Sequence, residues 1–128
     1  MSRIVLLCFA LLLLTGCQPR VTGLFSSLES SGGGRIHGYE IFIVRGNRAS
    51  GIESDYYAIV QCADGKISPP VIGKVELSSD NLVITLPEQP ELGCPSSLFT
   101  GRVGFKELIG SFGDGKQLSL PRKDSFWE

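Results

Sequence analysis

The chain of 128 residues holds one histidine, one tryptophan, one methionine and four cysteines, and its twelve basic and thirteen acidic side chains nearly cancel. Each scarcity removes a class of chemistry. A single imidazole, His37, cannot build a multi-histidine zinc site, and a histidine-based catalytic triad would have only that residue to use. A formal charge of −1 carries no footprint for nucleic acid, whose phosphates call for a basic surface. No Cys-x-x-Cys occurs, which removes the usual redox and metal-ligand spacing. The longest apolar run, Ile4 to Leu14, makes only about 16 Å of helix against a hydrocarbon core of roughly 30 Å, so no permanent transmembrane helix is expected. The length suits one small domain.

What is present begins at the N-terminus. Met1-Ser2-Arg3 is a short basic start, the apolar run follows, and Leu14-Thr15-Gly16-Cys17 closes the segment. That order is the shape of a secretory signal peptide over residues 1 to 16. The last four residues resemble a bacterial lipobox: an aliphatic residue, a small residue, Gly or Ala, then Cys. The resemblance implies cleavage between Gly16 and Cys17, diacylation of the Cys17 sulfur with palmitate-like chains, and acylation of the new amino terminus. Small side chains at 15 and 16 suit a peptidase cleft, and a thiol is what forms the thioether. Two or three acyl chains, at about 0.8 kcal/mol per buried methylene, hold a protein to a membrane durably where one holds it marginally. Position 18 is Gln rather than the Asp that marks retention at the inner membrane in lipoproteins resembling those of enteric bacteria. The expected location is the outer membrane of a Gram-negative host.

Cleavage would remove Arg3 and Cys8, leaving a formal charge of −2 and two cysteines besides Cys17. In an oxidising compartment Cys62 and Cys94 are expected to pair. Closing a loop of about 33 residues contributes about 3 to 4 kcal/mol on the chain-entropy estimate, a large share of a small domain's stability. Residues 17–37, with the Ser/Gly cluster from Ser26 to Gly34, read as a lipidated flexible tether about 25 Å in root-mean-square length. Leu24, Phe25 and Leu28 interrupt its polarity and either dock on the domain or meet the bilayer surface.

Residues 38–128 read as an all-β domain, because apolar side chains recur with period two and breakers fall at strand-like spacing. The predicted strands are Tyr39 to Arg45, Tyr56 to Cys62, Val71 to Leu77, Leu82 to Leu86, one carrying Phe99, Gly101, Val103 and Phe105 on one face, Leu108 to Phe112, and Lys116 to Leu120. Asp64-Gly65 and Gly113-Asp114-Gly115 supply turns. Pro87, Pro90, Gly93 and Pro95 forbid regular structure before Leu98, so Cys94 would tie a stiff loop back to the second predicted strand. About seven short strands fit a small sandwich or a partly open barrel, and periodicity does not choose between them.

Few residues carry recognisable chemistry. Gly110 to Lys116 reproduces the Gly-x-x-x-x-Gly-Lys skeleton of a phosphate-binding loop, but Gln117 stands where a hydroxyl is needed and a strand pattern follows instead of a helix. Nucleotide binding is therefore not expected. His37 lies at the tether boundary without a nucleophile partner, and nothing selects any two of the scattered carboxylates as a catalytic pair. Neither catalysis nor a cofactor is expected. Arg35, Arg45 and Arg48 lie close in sequence, and Tyr, Trp and Arg dominate binding hot spots. Arg45, Arg48 and Trp127 are the candidate partner contacts, although Phe126-Trp127 could equally latch the last strand. Tyr56 is expected in the core.

The first functional expectation is a lipid-anchored outer-membrane protein whose non-catalytic domain, facing the periplasm or the cell surface, binds another envelope protein in a structural or accessory role. The second comes from Tyr57 to Gly65, with Cys62-Ala63-Asp64-Gly65, and from Leu82-Val83-Ile84-Thr85-Leu86-Pro87. These segments, about a quarter of the chain, resemble the early strands of the lipoprotein inhibitors of c-type lysozyme. That resemblance implies a small disulfide-stapled β-barrel that inhibits an enzyme. The C-terminal half lacks the Tyr-Ser-Asp-Gly and Trp-rich segment of those inhibitors, so no inhibitory residue carries over.

Overall fold

Alternation of apolar and polar side chains becomes alternation of inside and outside. A computed structural model describes residues 17–46, 55–88 and 93–124. Among the described residues nine strands follow one another: β1 Gly23–Ser26, β2 Glu29–Ser30, β3 Ile36–Arg45, β4 Tyr56–Gly65, β5 Val71–Ser78, β6 Asn81–Thr85, β7 Leu98–Val103, β8 Glu107–Phe112 and β9 Leu118–Lys123. From β3 to β9 each strand pairs antiparallel with the next, and β1 pairs with both β3 and β9. The result is a closed eight-stranded up-and-down barrel, with β2 as one extra strand along β3. Of the two expected architectures the sandwich is therefore excluded and the barrel is fully closed. Closure leaves no long sheet edge to template aggregation.

The interior is filled by side chains. Phe25, Ile41, Ile43, Phe99, Leu108 and Leu120 are fully buried, each from a strand position that faces inward. Tyr39, Phe112 and Phe99 stack in sequence with ring centroids 5.1 and 5.0 Å apart, within the range for favourable aromatic pairs. Tyr56 is half-buried against this core, as expected.

Residues 23–37 are not a tether. Gly23–Ser26 is the strand that closes the barrel, Phe25 is fully buried, and Gly32–Gly34 form the turn between β2 and β3. A segment too polar to fold alone is ordered here because two neighbouring strands supply its backbone partners. Ser27 lies between β1 and β2, which share one register on β3. There the Tyr39 amide donates to the Ser27 hydroxyl at 3.1 Å. Gly38 opposite has φ +117°, and a Cβ on it would overlap the Ser27 carbonyl.

Two further expectations shift. Strand β7 ends at Val103, so Phe105 leaves the inward face and stands 62% exposed in the turn to β8. The last strand begins at Leu118 and runs through Pro121 to Lys123. Cys62 and Cys94 form the expected disulfide, with Cα atoms 5.2 Å apart. Ser68 supports it: its hydroxyl accepts from the Cys62 amide at 3.0 Å and its amide donates to the Cys62 carbonyl at 2.8 Å.

The antiparallel order sorts the connections into two ends. The disulfide end carries the turns around 31–35, 66–70, 93–97 and 113–117. The leash end receives residues 17–22 as they enter β1 and carries the turns at 79–80 and 104–106, together with the ends of β3 and β9.

Candidate functional site

A groove of about 860 Å³ lies on the outer wall formed by β6, β7 and β8. Its lining includes Asn81 and Val83 from β6, Thr100 and Arg102 from β7, and Ile109 and Ser111 from β8, with Gly115 and Gln117 at the disulfide end. The register that places these residues together also pairs Gly101 with Gly110 in the floor. Neither glycine tolerates a side chain. A Cβ on Gly101 would lie 2.6 Å from the Ile109 carbonyl oxygen, and one on Gly110 would lie 2.6 Å from Cζ of Phe99. Both missing Cβ atoms would point into the barrel, where the buried ring of Phe99 occupies the space, so the glycine pair answers to core packing; at these inward-facing positions the outer wall shows only backbone.

The groove offers hydroxyls from Thr100 and Ser111, amides from Asn81 and Gln117, and two separate apolar side chains, Val83 on β6 and Ile109 on β8, with β7 between them. Near the leash end Arg102 Nε lies 3.0 Å from Asp80 Oδ2, and Ser119 donates to Glu107 Oε2 across β8 and β9. These groups can hydrogen-bond and pack. His37 is diametrically opposite, on β3, 3.7 Å from Asp64 and at the disulfide end. Three strands lie between it and Thr100 in either direction around the wall, and β1 and β9 lie between it and Ser111 by the shorter way, so the chain's one imidazole cannot act on their hydroxyls. Among the described residues no cluster of three His, Cys, Asp or Glu side chains could hold a metal ion.

A smaller concavity of about 360 Å³ lies where residues 20–23 cross the end of β3, lined in part by Phe42, Val44, Arg45 and Tyr56. Arg45, a predicted partner contact, is exposed here at the leash end, away from the groove. Arg48, Trp127 and the signal segment 1–16 lie outside the described residues. Cys17 is exposed and is the free cysteine among the described residues, six positions before β1. Among the described residues no helix is long and apolar enough to cross a membrane.

Sequence reasoning missed the groove residues because hydroxyls and amides spread from Asn81 to Gln117 have no local signature. The glycine pair was legible, since Gly101 and Gly110 stand at equal distances from the turn between Val103 and Leu108, but it reports the packing of Phe99 inside the barrel and not the groove outside it. The geometry defines a class, a small closed antiparallel β-barrel with one disulfide and a polar groove on its outer wall. No protein-family model matches the chain, and no curated protein or solved structure is significantly similar to it.

Proposed function

We propose that this chain is a lipoprotein of the outer membrane, anchored through acyl chains on Cys17, whose barrel acts without catalysis by binding another envelope protein along the groove of β6, β7 and β8. The observation that carries the reading is the groove itself: hydroxyl, amide, guanidinium and apolar side chains side by side on the outer wall of a barrel whose interior is filled. Such a strip suits a polypeptide segment, which needs both backbone hydrogen bonds and pockets for side chains. With the anchor at the leash end, the groove runs up the side of the barrel from the membrane toward the disulfide end.

The test is photo-crosslinking in intact cells from a reactive amino acid placed at Thr100 or at Ser111. Ile72, on the outer face of β5 and 65% exposed, is the control. One exported protein captured from both groove positions and absent from the control is the expected result. Identical adducts from all three positions, or none, would sink the reading.

A second reading rests on the closed barrel with a single disulfide, the fold implied by the resemblance to lysozyme inhibitors. In that case the purified chain slows c-type lysozyme in stoichiometric fashion, and a groove variant such as Ser111→Trp relieves the inhibition.

A further inference from the structure

We propose that the turn joining β7 to β8 is a second membrane contact: Phe105 enters the interfacial zone of a lipid bilayer while Lys106 and Lys123 meet its phosphates. The proposal deepens the anchoring reading and rests on it for the choice of which end faces the membrane.

Phe105 is 62% exposed at the tip of a tight turn, an unusual place for a large apolar ring. The turn is well fixed. The Gly104 amide donates to the Glu107 carbonyl at 2.8 Å, and the Val103 amide to the Asp80 carbonyl at 2.9 Å. The guanidinium of Arg122 then joins this turn to the chain that leads to Cys17. Its Nε donates to the Phe105 carbonyl at 3.1 Å, its Nη1 to the Thr22 carbonyl at 2.8 Å, and its Nη2 to the carbonyls of both Arg20 and Gly104 at 2.6 and 3.1 Å. One nitrogen therefore bridges the turn and the leash.

From Arg20 to Cys17 the chain spans three residues, a reach of about 10 Å even when extended. An acyl chain seated in a bilayer through Cys17 consequently holds this turn against the same surface. The charges agree. Lys106 and Lys123 are exposed at this end, as is Arg45, and Asp80 is paired with Arg102, whereas Glu107 accepts from the Ser119 hydroxyl and keeps its negative charge. Asp55, Glu76 and Asp124 are the remaining carboxylates toward this end among the described residues. An aromatic ring flanked by lysines is suited to the headgroup boundary, where the ring leaves water and the ammonium groups remain with phosphate.

The experiment attaches the barrel to a bilayer by chemistry rather than by the cell. In a chain beginning at Cys17, that thiol is free while Cys62 and Cys94 are joined, so it couples to a maleimide-bearing lipid in vesicles of zwitterionic and anionic phospholipid. With Trp127→Phe removing the one native tryptophan, Phe105→Trp, Ile72→Trp and Ile67→Trp each place a single indole at the turn, on the outer wall and at the disulfide end. Bromine near the top of the acyl chains is expected to quench most of the emission at 105 and to leave 72 and 67 unchanged. Quenching at 72 in place of 105 means the barrel lies on its wall and overturns the proposal, as does quenching at none of the three. Because the tether is synthetic, this outcome does not depend on whether the cell acylates Cys17. The intact mass of the exported chain decides that question separately.

Discussion

The guanidinium carbon of Arg122 lies 4.5 Å from the ring centroid of Phe25, across the seam where the last strand of the barrel meets the first. That seam is short. Only Leu24 with Lys123 and Phe25 with Arg122 are in register between β1 and β9, so the backbone ladder alone gives little closure. The four carbonyls that accept from the same guanidinium supply what the ladder lacks, together with a cation held over an aromatic face.

Arg122→Ala is therefore expected to destabilise the barrel by about 3 kcal/mol, because hydrogen bonds to charged groups are worth about 1.5–3 kcal/mol and those sharing one group are not additive. Arg122→Lys should fall between, since an ammonium keeps the charge over Phe25 but not the planar fork. Urea unfolding gives the magnitude. Amide exchange gives the place: Leu24 and Phe25 should lose protection first, and unchanged protection there would mean that closure is held elsewhere.

Gly110→Ala should cost about 2–3 kcal/mol, the range for forcing extra atoms into a packed site. The inserted Cβ would meet the Phe99 ring at 2.6 Å and the Gly101 Cα at 2.8 Å, and the second is backbone that cannot turn aside. In a Phe99→Leu background the same substitution should cost less by about 1 kcal/mol, because only the ring part of the conflict is relieved. A double-mutant cycle of denaturation midpoints reads this coupling, and a coupling of zero would show that Phe99 does not set the glycine requirement.

The residues between Tyr39 and Leu120 announced their strands because most of them face water on one side and core on the other, which forces period two onto the sequence. β5 is the clearest case: Val71, Gly73 and Val75 are buried and Ile72, Lys74 and Glu76 exposed. The disulfide was legible for a different reason, since the signal-like N-terminus led to the expectation of an oxidising compartment, where two cysteines have few alternatives. β1 was not legible: four residues that include Gly23 and Ser26 are too short for a period to emerge, and Phe25 sits between Ile41 of β3 and Arg122 of β9, the second of them about a hundred positions away in the chain. The choice of barrel over sandwich depended on that same strand. Phe105 continued the alternation of Phe99 and Val103, but Gly104 let the chain turn before the pattern was used.

Cys62→Ala with Cys94→Ala should lower stability by about 3 to 4 kcal/mol, because the bond closes a loop with a sequence separation of 32 and removes that freedom from the unfolded chain. If entropy of the unfolded state is the cause, Cys94→Ala alone should cost nearly as much as the pair. Thermal unfolding of both variants under identical conditions makes the comparison. A double variant as stable as the parent would assign closure of this end to Ser68 and the β-ladder.

Arg102→Ala separates binding from folding. Its partner Asp80 is 39% exposed and Arg102 itself 72%, so solvent screens the pair and the loss of stability should stay within about 0.5 kcal/mol. The same substitution removes the one cation among the residues lining the groove. If the groove receives a partner segment, Arg102→Ala should cut the crosslinking yield from Ser111 by about tenfold, the equivalent of 1.4 kcal/mol and typical of an interface arginine. Arg102→Lys should restore part of that yield if charge alone is read and little of it if the planar guanidinium is needed. An unchanged yield in both variants, with folding also unchanged, would place the partner on a different face of the barrel.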